Sequence, residues 1–462
     1  MKLTVLGGGG VRSPFLAKSL ALQVNKIGVT SVVFMDNNDK KLQIYGNLSK
    51  EIFEKLNNKV KFSITSDPIE ALKDADYIIT TIRVGEEEGR VKDERVALKN
   101  GVLGQETTGP GGFSFSIRSI PVILDYCKMI EKYSSKDAIL FNFTNPSGLV
   151  TQAIQKSGFS KKFFGICDAP SELIREICHI IGEKEENVKI DCFGLNHLSW
   201  FRNIQVNGKD ITKSIIENPK IYKETEMRYF DVDLVHLSDD MLLNEYLYFY
   251  YYREKAVQAI VDSGKTRGEQ ILEINNKMYN ALKDIDIHND LDKAFEIYFS
   301  YLIERESSYM ARESGVEKSN KREVIPLSEF LKLPDSGGYA GVAIDILEAA
   351  SNNHNKRVVV SVKNNGALEF LDDNDVVEIS CTIDENGNAV PIKMNNIPKM
   401  QENLIKDVKL YENLTVEAIF EKSIQKAIKA LTVHPLVNSY SIAKSIVFDY
   451  LEVHKEYFKD WK

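Results

Sequence analysis

The feature that most constrains the fold is a short β-branched run followed at once by glycines. Residues 2–6 (KLTVL) are typical of a buried strand, and a helix-like segment begins near Ser13. The glycines between them are Gly7, Gly8, Gly9 and Gly10. A loop without side chains lets a pyrophosphate approach the backbone, and the next helix points its N-terminus at the same place. This pattern predicts a dinucleotide-binding βα unit.

An acidic residue, Asp36, ends the second strand-like run. Such a residue accepts hydrogen bonds from ribose hydroxyls and disfavours a 2′-phosphate, which favours NAD over NADP. The third glycine of G-x-G-x-x-G is absent, because Ser13 stands at its position counted from Gly8 and Gly10. A glycine-rich loop alone also fits a bland tight turn, so the prediction depends on the strand, helix and acid around it.

Strand-like runs alternate with helix-like segments through the first part of the chain. The strand-like runs are 2–6, 31–36, 77–82, 138–143 and 163–166. The helix-like segments are 13–24, 38–57, 68–74, 115–132 and 147–156. This alternation predicts an α/β fold with a Rossmann-type doubly wound parallel sheet. We assign residues 1–190 to an NAD-binding domain.

After residue 190 the pattern changes to long helical segments. These are 240–262, 267–283, 290–314, 400–432 and 439–458. Residues 356–382 look like strands interrupted by turns, and the charged run 315–325 is interpreted as a surface loop. We therefore predict a second, α+β domain over 191–462 that serves catalysis, substrate binding and oligomerisation.

Composition excludes several classes of protein. The net charge of −8 argues against a nucleic-acid partner, since such proteins usually carry a basic excess. The five cysteines have no C-x-x-C spacing, which favours a reducing compartment over a disulfide framework. The chain enters its first strand without a signal-like apolar region, and no stretch approaches 18 uncharged apolar residues. We expect a cytoplasmic protein with no membrane partner.

Two charged motifs follow the third of these strand-like runs, at 77–82. The segment 83–95 (RVGEEEGRVKDER) is expected as a loop in which Arg83 and Arg90 hold a phosphate, although a solvated charge run is an equal alternative. Glu106 then lies among small residues in GQETTGPGG. It could act as a base or polarise one, or it could cap the helix at 113–130.

Cys167 and His197 each come just after a strand-like stretch, 30 residues apart. Ligands in such positions can converge on one metal ion. Each also has an ordinary structural explanation, because cysteine is commonly just buried and histidine is often a satisfied core residue.

The motifs together resemble glycoside hydrolase family 4, the NAD- and manganese-dependent glycosidases that include 6-phospho-β-glucosidases and 6-phospho-α-glucosidases. The resemblance runs along nearly the whole chain. It is carried by LGGGGVRSP, GVLGQETTGPGGFSFSIR, FNFTNPSG, Cys167, FGLNHLSW, NEYLYFYYY and NNGALEFLDD. It implies a fold like that of lactate and malate dehydrogenases, bound NAD and a divalent metal, and a small phosphorylated sugar as substrate.

The resemblance also implies an unusual hydrolysis that differs from the two-carboxylate scheme. In this family NAD takes hydride from C3 of the sugar, which acidifies the C2 proton. A base removes that proton, the leaving group departs from C1, water adds, and the hydride returns. No second redox substrate is needed.

Matched residue by residue, the resemblance implies that Cys167 and His197 ligate Mn²⁺ or another divalent metal. Tyr246 would be the base at C2, helped by the metal and by Glu106. Asp168 would be the acid for the leaving group.

Four further residues match substrate contacts of the family. Asn145 and Asn196 would hold sugar hydroxyls, while Arg90 and Arg267 would contact the substrate, with its phosphate as the target. Most of the rings after Tyr246 are expected to be packing.

The anomer, sugar epimer and oligomeric state stay open, although we expect a homodimer or homotetramer. Asp168 within Cys-Asp-Ala-Pro is closer to the α-type enzymes, whereas SGGYAGVAIDIL and NNGALEFLDD are closer to the β-type, which we favour. The alternatives are an NAD-dependent 2-hydroxy-acid dehydrogenase, a non-catalytic sensor of the same fold, and a relative that acts on an unphosphorylated or uronic sugar.

Overall fold

A parallel sheet forms the centre of the N-terminal half. The computed structural model describes residues 1–316, 323–335, 337–352 and 356–462. Six parallel strands lie in the order β3-β2-β1-β4-β5-β6, which is the Rossmann order. They are β1 (Lys2–Leu6), β2 (Ser31–Met35), β3 (Lys61–Thr65), β4 (Tyr77–Thr80), β5 (Ile139–Asn142) and β6 (Lys162–Gly165). The predicted fold class is confirmed, and β3 is a strand that the sequence interpretation missed.

Helices connect these strands, and most of them lie in the expected places. They are α1 (Ser13–Gln23), α2 (Asp39–Lys41), α3 (Asn47–Leu56), α4 (Pro68–Leu72), α5 (Glu86–Lys99), α6 (Pro110–Tyr133), α7 (Ser147–Ser157) and α8 (Ala169–Ile181). A π-helical turn at Leu42–Gly46 joins α2 to α3. The helix α8 was not predicted.

The predicted loop at 83–95 is wrong, because most of it belongs to α5. Three glutamates occupy the first turn of this helix, where negative charge is favourable. Arg90, Asp93 and Glu94 are buried on its inner face. A fully solvated charge run is therefore wrong as well.

The sheet continues into the C-terminal half through antiparallel strands. Beyond β6 the order is β11-β12-β7-β8-β10, with β13 on β12 and β9 on β8. These strands are β7 (Val188–Leu195), β8 (Leu198–Val206), β9 (Lys209–Asp210), β10 (Leu242–Leu243), β11 (Arg357–Lys363), β12 (Val376–Ile383) and β13 (Ala389–Pro391). Residue 190 falls inside β7, and one sheet spans both halves. The division at residues 190 and 191 stays a prediction.

Helices cover this second half. They are α9 (Thr212–Ile216), α10 (Ile221–Glu224), α11 (Val232–Leu237), α12 (Tyr248–Tyr251), α13 (Arg253–Ser263), α14 (Arg267–Leu282), α15 (Leu291–Ser307), α16 (Ala311–Ser314), α17 (Leu327–Phe330), α18 (Gly338–Asn352), α19 (Lys399–Glu421), α20 (Ile424–Val433) and α21 (Tyr440–Val453). Of the predicted surface loop 315–325, residues 317–322 lie outside the described part of the chain.

Three predicted long helices are broken in the structure. The segment 240–262 contains β10 and a 3₁₀ turn at Glu245–Leu247, because the Asn244 side chain accepts from Tyr246 N and starts a new turn. The segment 400–432 breaks at Lys422, whose φ of 51° ends α19. The segment 290–314 breaks between α15 and α16. Helical periodicity does not reveal such local caps.

The main core packs both faces of the sheet, and a smaller core joins α14 and α15 to α3. All five cysteines are free and buried, so no disulfide holds the fold. Among the described helices, none is both long enough and apolar enough to cross a membrane.

Candidate active site

A cavity of about 1320 Å³ lies at the carboxyl ends of the parallel strands. This is where open α/β sheets bind ligands. The glycine loop, the Cys167–His197 pair and several arginines all line it. Residues predicted from separate parts of the sequence therefore meet in one space.

The glycine loop is shaped so that side chains would not fit. Gly7 has a φ of 104°, and a Cβ atom there would lie 2.5 Å from the carbonyl oxygen of Thr81. A Cβ atom on Gly9 would lie 2.9 Å from Asp36 Cγ. Gly9 N donates to Asp36 Oδ2 at 3.0 Å, so Asp36 also holds the loop. This bare backbone at the start of α1 fits the pyrophosphate of NAD.

Cys167 and His197 lie side by side at the cavity wall. Cys167 lies two residues before the start of α8, and His197 occupies the turn between β7 and β8 with a φ of 63°. The distance between Cys167 Sγ and His197 Nε2 is 3.7 Å. Both side chains are buried and both line the cavity. Two donors at this distance fit one divalent cation, since metal bonds to N and S are each about 2.0–2.3 Å long.

The protonation of this pair fits a metal site. Burial lowers the pKa of His197 to about 4, so the imidazole is neutral near pH 7. Burial also raises the pKa of Cys167, and Glu378 and Asp168 raise it further. The thiol therefore ionises only with a cation beside it. Substrate oxygens or water would complete the coordination.

Tyr246 stacks on the imidazole of His197. The two ring centroids are 3.7 Å apart and the planes differ by 4°. Burial and the neighbouring Glu245 raise the pKa of Tyr246 well above its ordinary value, whereas a hydrogen bond with Tyr309 lowers it. A phenol in this place needs a bound cation nearby to accept or release a proton near neutral pH.

Arg83 and Arg90 both pair with Glu106. The distances to Glu106 Oε2 are 2.8 Å from Arg83 Nη1 and 2.9 Å from Arg90 Nη1. Burial would raise the pKa of Glu106, but Arg90 and Arg83 outweigh burial and lower it to about 2. Glu106 is thus a permanent carboxylate that holds two arginines, which is less suited to proton transfer. It does not cap the next helix, whose N-cap is Gly109.

A second pair of arginines, Arg267 and Arg305, also lines the cavity. Arg267 donates to Ser308 Oγ at 2.5 Å and to the Arg305 carbonyl at 2.6 Å. Burial lowers the pKa of Arg267 to about 10, with a further contribution from Arg90. Burial likewise lowers the pKa of Arg305 to about 10. Crowded guanidinium groups in a buried place favour an anion between them.

Comparisons with known proteins decide the family. The sequence profile described as "Family 4 glycosyl hydrolase" matches residues 2–183, and that of the family's C-terminal domain matches residues 192–437. This chain belongs to family 4 of the glycosyl hydrolases. The sequence resemblance to that family is confirmed.

Alignments of this family 4 hydrolase with individual relatives span almost the whole of both chains. The 6-phospho-beta-glucosidase BglT of Thermotoga maritima is 30% identical over 99% of this chain and 100% of that one. The structure of a 6-phospho-beta glucosidase from Thermotoga maritima with NAD and glucose-6-phosphate has a TM-score of 0.81 at 29% identity and 99% coverage of each chain. A 6-phospho-alpha-glucosidase from gut microorganisms, solved with NAD and Mn²⁺, has a TM-score of 0.81 at 26% identity, with coverage of 100% of this chain and 99% of that chain. A metagenomic lactate dehydrogenase (TM-score 0.50, 16% identity, coverage 91% and 98%) shares the fold alone.

The remaining predicted residues of the family 4 hydrolase lie at or near the cavity. Asn145 and Asp168 line it, and Asp168 Oδ2 is 3.5 Å from Arg12 Nη1. Asn196 lies behind the residues that line the cavity, where its side chain donates to Glu378 Oε2 and accepts from Gly148 N. A sugar contact by Asn196 stays a prediction.

Sequence interpretation missed several residues that shape the site. Arg305, Glu245 and Tyr309 line the cavity, and Thr107 contacts His197 Nδ1 at 3.1 Å. The motif GQETT offered a signal for Thr107, because polar residues that lie among glycines are candidates for close contacts. Arg305 lies in α15 and Tyr309 in the turn after it, and only the tertiary structure reveals their place in the site.

Proposed function

We propose that this family 4 hydrolase cleaves 6-phosphoglucosides, with NAD and a divalent metal such as Mn²⁺ bound, and acts on β-linked substrates. One observation carries the proposal. A single cavity joins the glycine loop, the Cys167–His197 pair stacked against Tyr246, and the arginine group. The named activities of the relatives, and the NAD, manganese and glucose-6-phosphate in their structures, support the same function.

The proposed orientation of the substrate follows from charge. Arg83, Arg90 and Arg267 receive the sugar phosphate, because planar guanidinium groups bind phosphate oxygens in pairs. Glu94 accepts from Arg90 Nε at 2.7 Å and from Gly268 N at 2.6 Å, so it sets the position of Arg90 relative to the start of α14. Asn145 binds a hydroxyl of the sugar ring.

Gly7, Gly9 and Asp36 would hold NAD, and Cys167 and His197 would hold the metal. NAD supplies a reversible hydride acceptor for C3, and the metal supplies Lewis-acid polarisation of the neighbouring sugar oxygens. Tyr246 takes the C2 proton, and its ring is held by the stack on His197. Glu106 keeps the arginines in place as a carboxylate.

Asp168 gives its proton to the leaving group. It is half-buried at the cavity wall beside Cys167, so its carboxyl group is open to a substrate bound in the cavity. A proton from an acid can assist the leaving group of either anomer. The alternative to the proposed β-linked substrates is therefore α-linked ones, which Asp at this position favours. Activity on both anomers therefore belongs in the test.

The decisive experiment incubates the protein with NAD, Mn²⁺ and a reductant, and assays α- and β-nitrophenyl 6-phosphoglucosides in D₂O. We expect hydrolysis of the β-substrate, deuterium at C2 of the product and no net absorbance at 340 nm. Hydrolysis without deuterium would exclude the elimination route. Steady NADH formation from a hydroxy acid would support the dehydrogenase alternative instead.

Variants connect this activity to the site. Cys167→Ser and Tyr246→Phe should abolish most of the activity. Tyr252→Phe is the matched control, because its hydroxyl bonds to Asp231 rather than facing this cavity. Equal activity of Tyr246→Phe and the control would rule out Tyr246 as the base.

We also propose a homodimer or homotetramer in the cytoplasm, as expected from the family resemblance and the cysteine usage. Sedimentation velocity tests the assembly, and a monomer at micromolar concentration would contradict it. Fractionation of the source cells tests the location.

A further inference from the structure

Thr107 and Gln105 lie at the edge of the His197 ring that faces away from Cys167. Thr107 Oγ1 is 3.1 Å from His197 Nδ1 and 3.2 Å from Gln105 Oε1. Both side chains are buried. Neither belongs to the residues that the family resemblance assigned to the site.

The amide of Gln105 has a fixed orientation. Its Oε1 atom accepts from Thr107 N at 2.7 Å and from Thr108 N at 2.6 Å. An NH₂ group could not accept these two backbone hydrogens, so the oxygen must face Thr107. Gln105 Oε1 therefore faces the Thr107 hydroxyl as an acceptor, in the third and longest of its hydrogen bonds, at 3.2 Å.

A directed chain of hydrogen bonds satisfies all of these groups. In one direction, the thiol hydrogen points from Cys167 Sγ to His197 Nε2, which is 3.7 Å away. The ring then donates from Nδ1–H to Thr107 Oγ1, and the hydroxyl donates to Gln105 Oε1. In the reverse direction the Thr107 hydroxyl would donate to Nδ1 and Nε2–H would point at Cys167 Sγ, so the thiol hydrogen would have no acceptor among these groups. The forward direction is therefore favoured.

We propose that Thr107, held by Gln105, is a positioning residue that fixes His197 in the Nδ1–H tautomer, so that the Nε2 lone pair beside Cys167 is ready for a metal. The proposal rests on the metal site of the proposed function. A metal-binding histidine usually donates its second ring N–H to a fixed acceptor, which orients the ring and sets the tautomer. In this chain a threonine hydroxyl and a glutamine carbonyl serve instead of a carboxylate.

The first test reads the tautomer in the metal-free protein. Two-bond ¹⁵N–¹H correlation spectra of ¹⁵N-histidine-labelled protein distinguish the tautomers, and His197→Gln identifies the His197 signal among the seven histidines. We expect the Nδ1–H form in the wild type and in Thr107→Ser, which keeps the hydroxyl. We expect a mixture or the Nε2–H form in Thr107→Val. If Thr107→Val does not fold, Thr107→Ala removes the same hydroxyl without adding a methyl group.

The second test measures Mn²⁺ binding from the EPR signal of free Mn²⁺, without NAD or sugar. Thr107→Val should bind about 10–100-fold more weakly, as is usual when such an outer partner of a ligand is lost. Thr108→Val is the matched control, because the Thr108 hydroxyl is buried with no hydrogen-bond partner among the described residues. It should bind Mn²⁺ as the wild type does.

The outcomes separate the positioning role from the metal site itself. If Thr107→Val keeps the tautomer and the Mn²⁺ affinity while Cys167→Ser loses Mn²⁺, the role of Thr107 is overturned and the metal site stands. If Cys167→Ser binds Mn²⁺ like the wild type, the metal site fails and the positioning role fails with it.

Discussion

A buried ion cluster ties the C-terminal helix α21 to the helices that carry the site. Asp93 accepts from Arg118 at 2.6 and 2.8 Å, from Ser114 Oγ at 2.6 Å and from His454 Nε2 at 2.8 Å. Arg118 and Asp93 are each about 1% exposed. Arg118 also donates to the carbonyl oxygen of Val84, just before α5. Replacing Asp93 with Asn leaves the Arg118 charge buried without a counter-charge.

We expect Asp93→Asn to lower the free energy of unfolding by about 3–5 kcal/mol, the usual cost of breaking one side of a buried pair. The entropy of unfolding of a chain of 462 residues is about 1 kcal/mol/K, so Tm should fall by about 3–5 °C. Urea unfolding followed by circular dichroism and by tryptophan fluorescence measures the loss directly.

The chain offers a control pair on the same helix, α5. Lys99 pairs with Asp449 at 2.8 Å, with the lysine side chain 69% exposed. Lys99→Met should leave the unfolding midpoint unchanged within error, because water screens exposed pairs. In the Asp93→Asn background, Arg118→Met should recover part of the loss by removing the stranded charge. The reasoning is refuted if Asp93→Asn is no more destabilising than Lys99→Met, or if the double variant is worse than the sum of its parts.

Three further predictions follow from other contacts. Gly9→Ala should weaken NAD binding by about 10–100-fold in calorimetry, since its Cβ would overpack the Asp36 carboxyl at a cost of about 1–3 kcal/mol. Gly341→Ala should leave NAD binding unchanged, because a Cβ atom there meets no described atom within 4 Å. Glu94→Gln should lower kcat/KM about tenfold through Arg90 with NAD affinity unchanged, because hydrogen bonds to charged groups contribute about 1.5–3 kcal/mol; an unchanged kcat/KM would contradict the coupling. Burial lowers the pKa of His434 from 6.5 to about 3, so the unfolded state binds a proton first, and stability should fall as pH decreases from 6.5 towards 3. Equilibrium unfolding across this range should show a shallower slope for His434→Phe, and an identical slope would exclude His434 as the cause.

Local patterns in the sequence determined the fold class and the positions of most predicted residues. The run KLTVL with its glycines needs only neighbours along the chain to define a strand, a tight loop and a helix start, so its structure could be predicted. The same holds for Cys167 and His197, because each follows a strand whose end fixes where the side chain lies. Helix α5 was not predicted, because its run of charged residues resembles a solvated loop. Several of these charged residues are buried where α5 packs against α6 and α14, which only the tertiary structure shows.

The pairing of distant residues was decided only by the tertiary structure. Glu106 binds Arg83 and Arg90 as a permanent carboxylate, and no spacing along the chain predicts that two arginines meet one acid. Thr107 reaches a ring 90 residues away, a contact that depends on the turn between β7 and β8. The sequence by itself supplied the chemical groups and the edge of the sheet at which they gather. Their distances, protonation and partners depend on long-range packing, because burial and neighbouring charge arise only when separate segments meet.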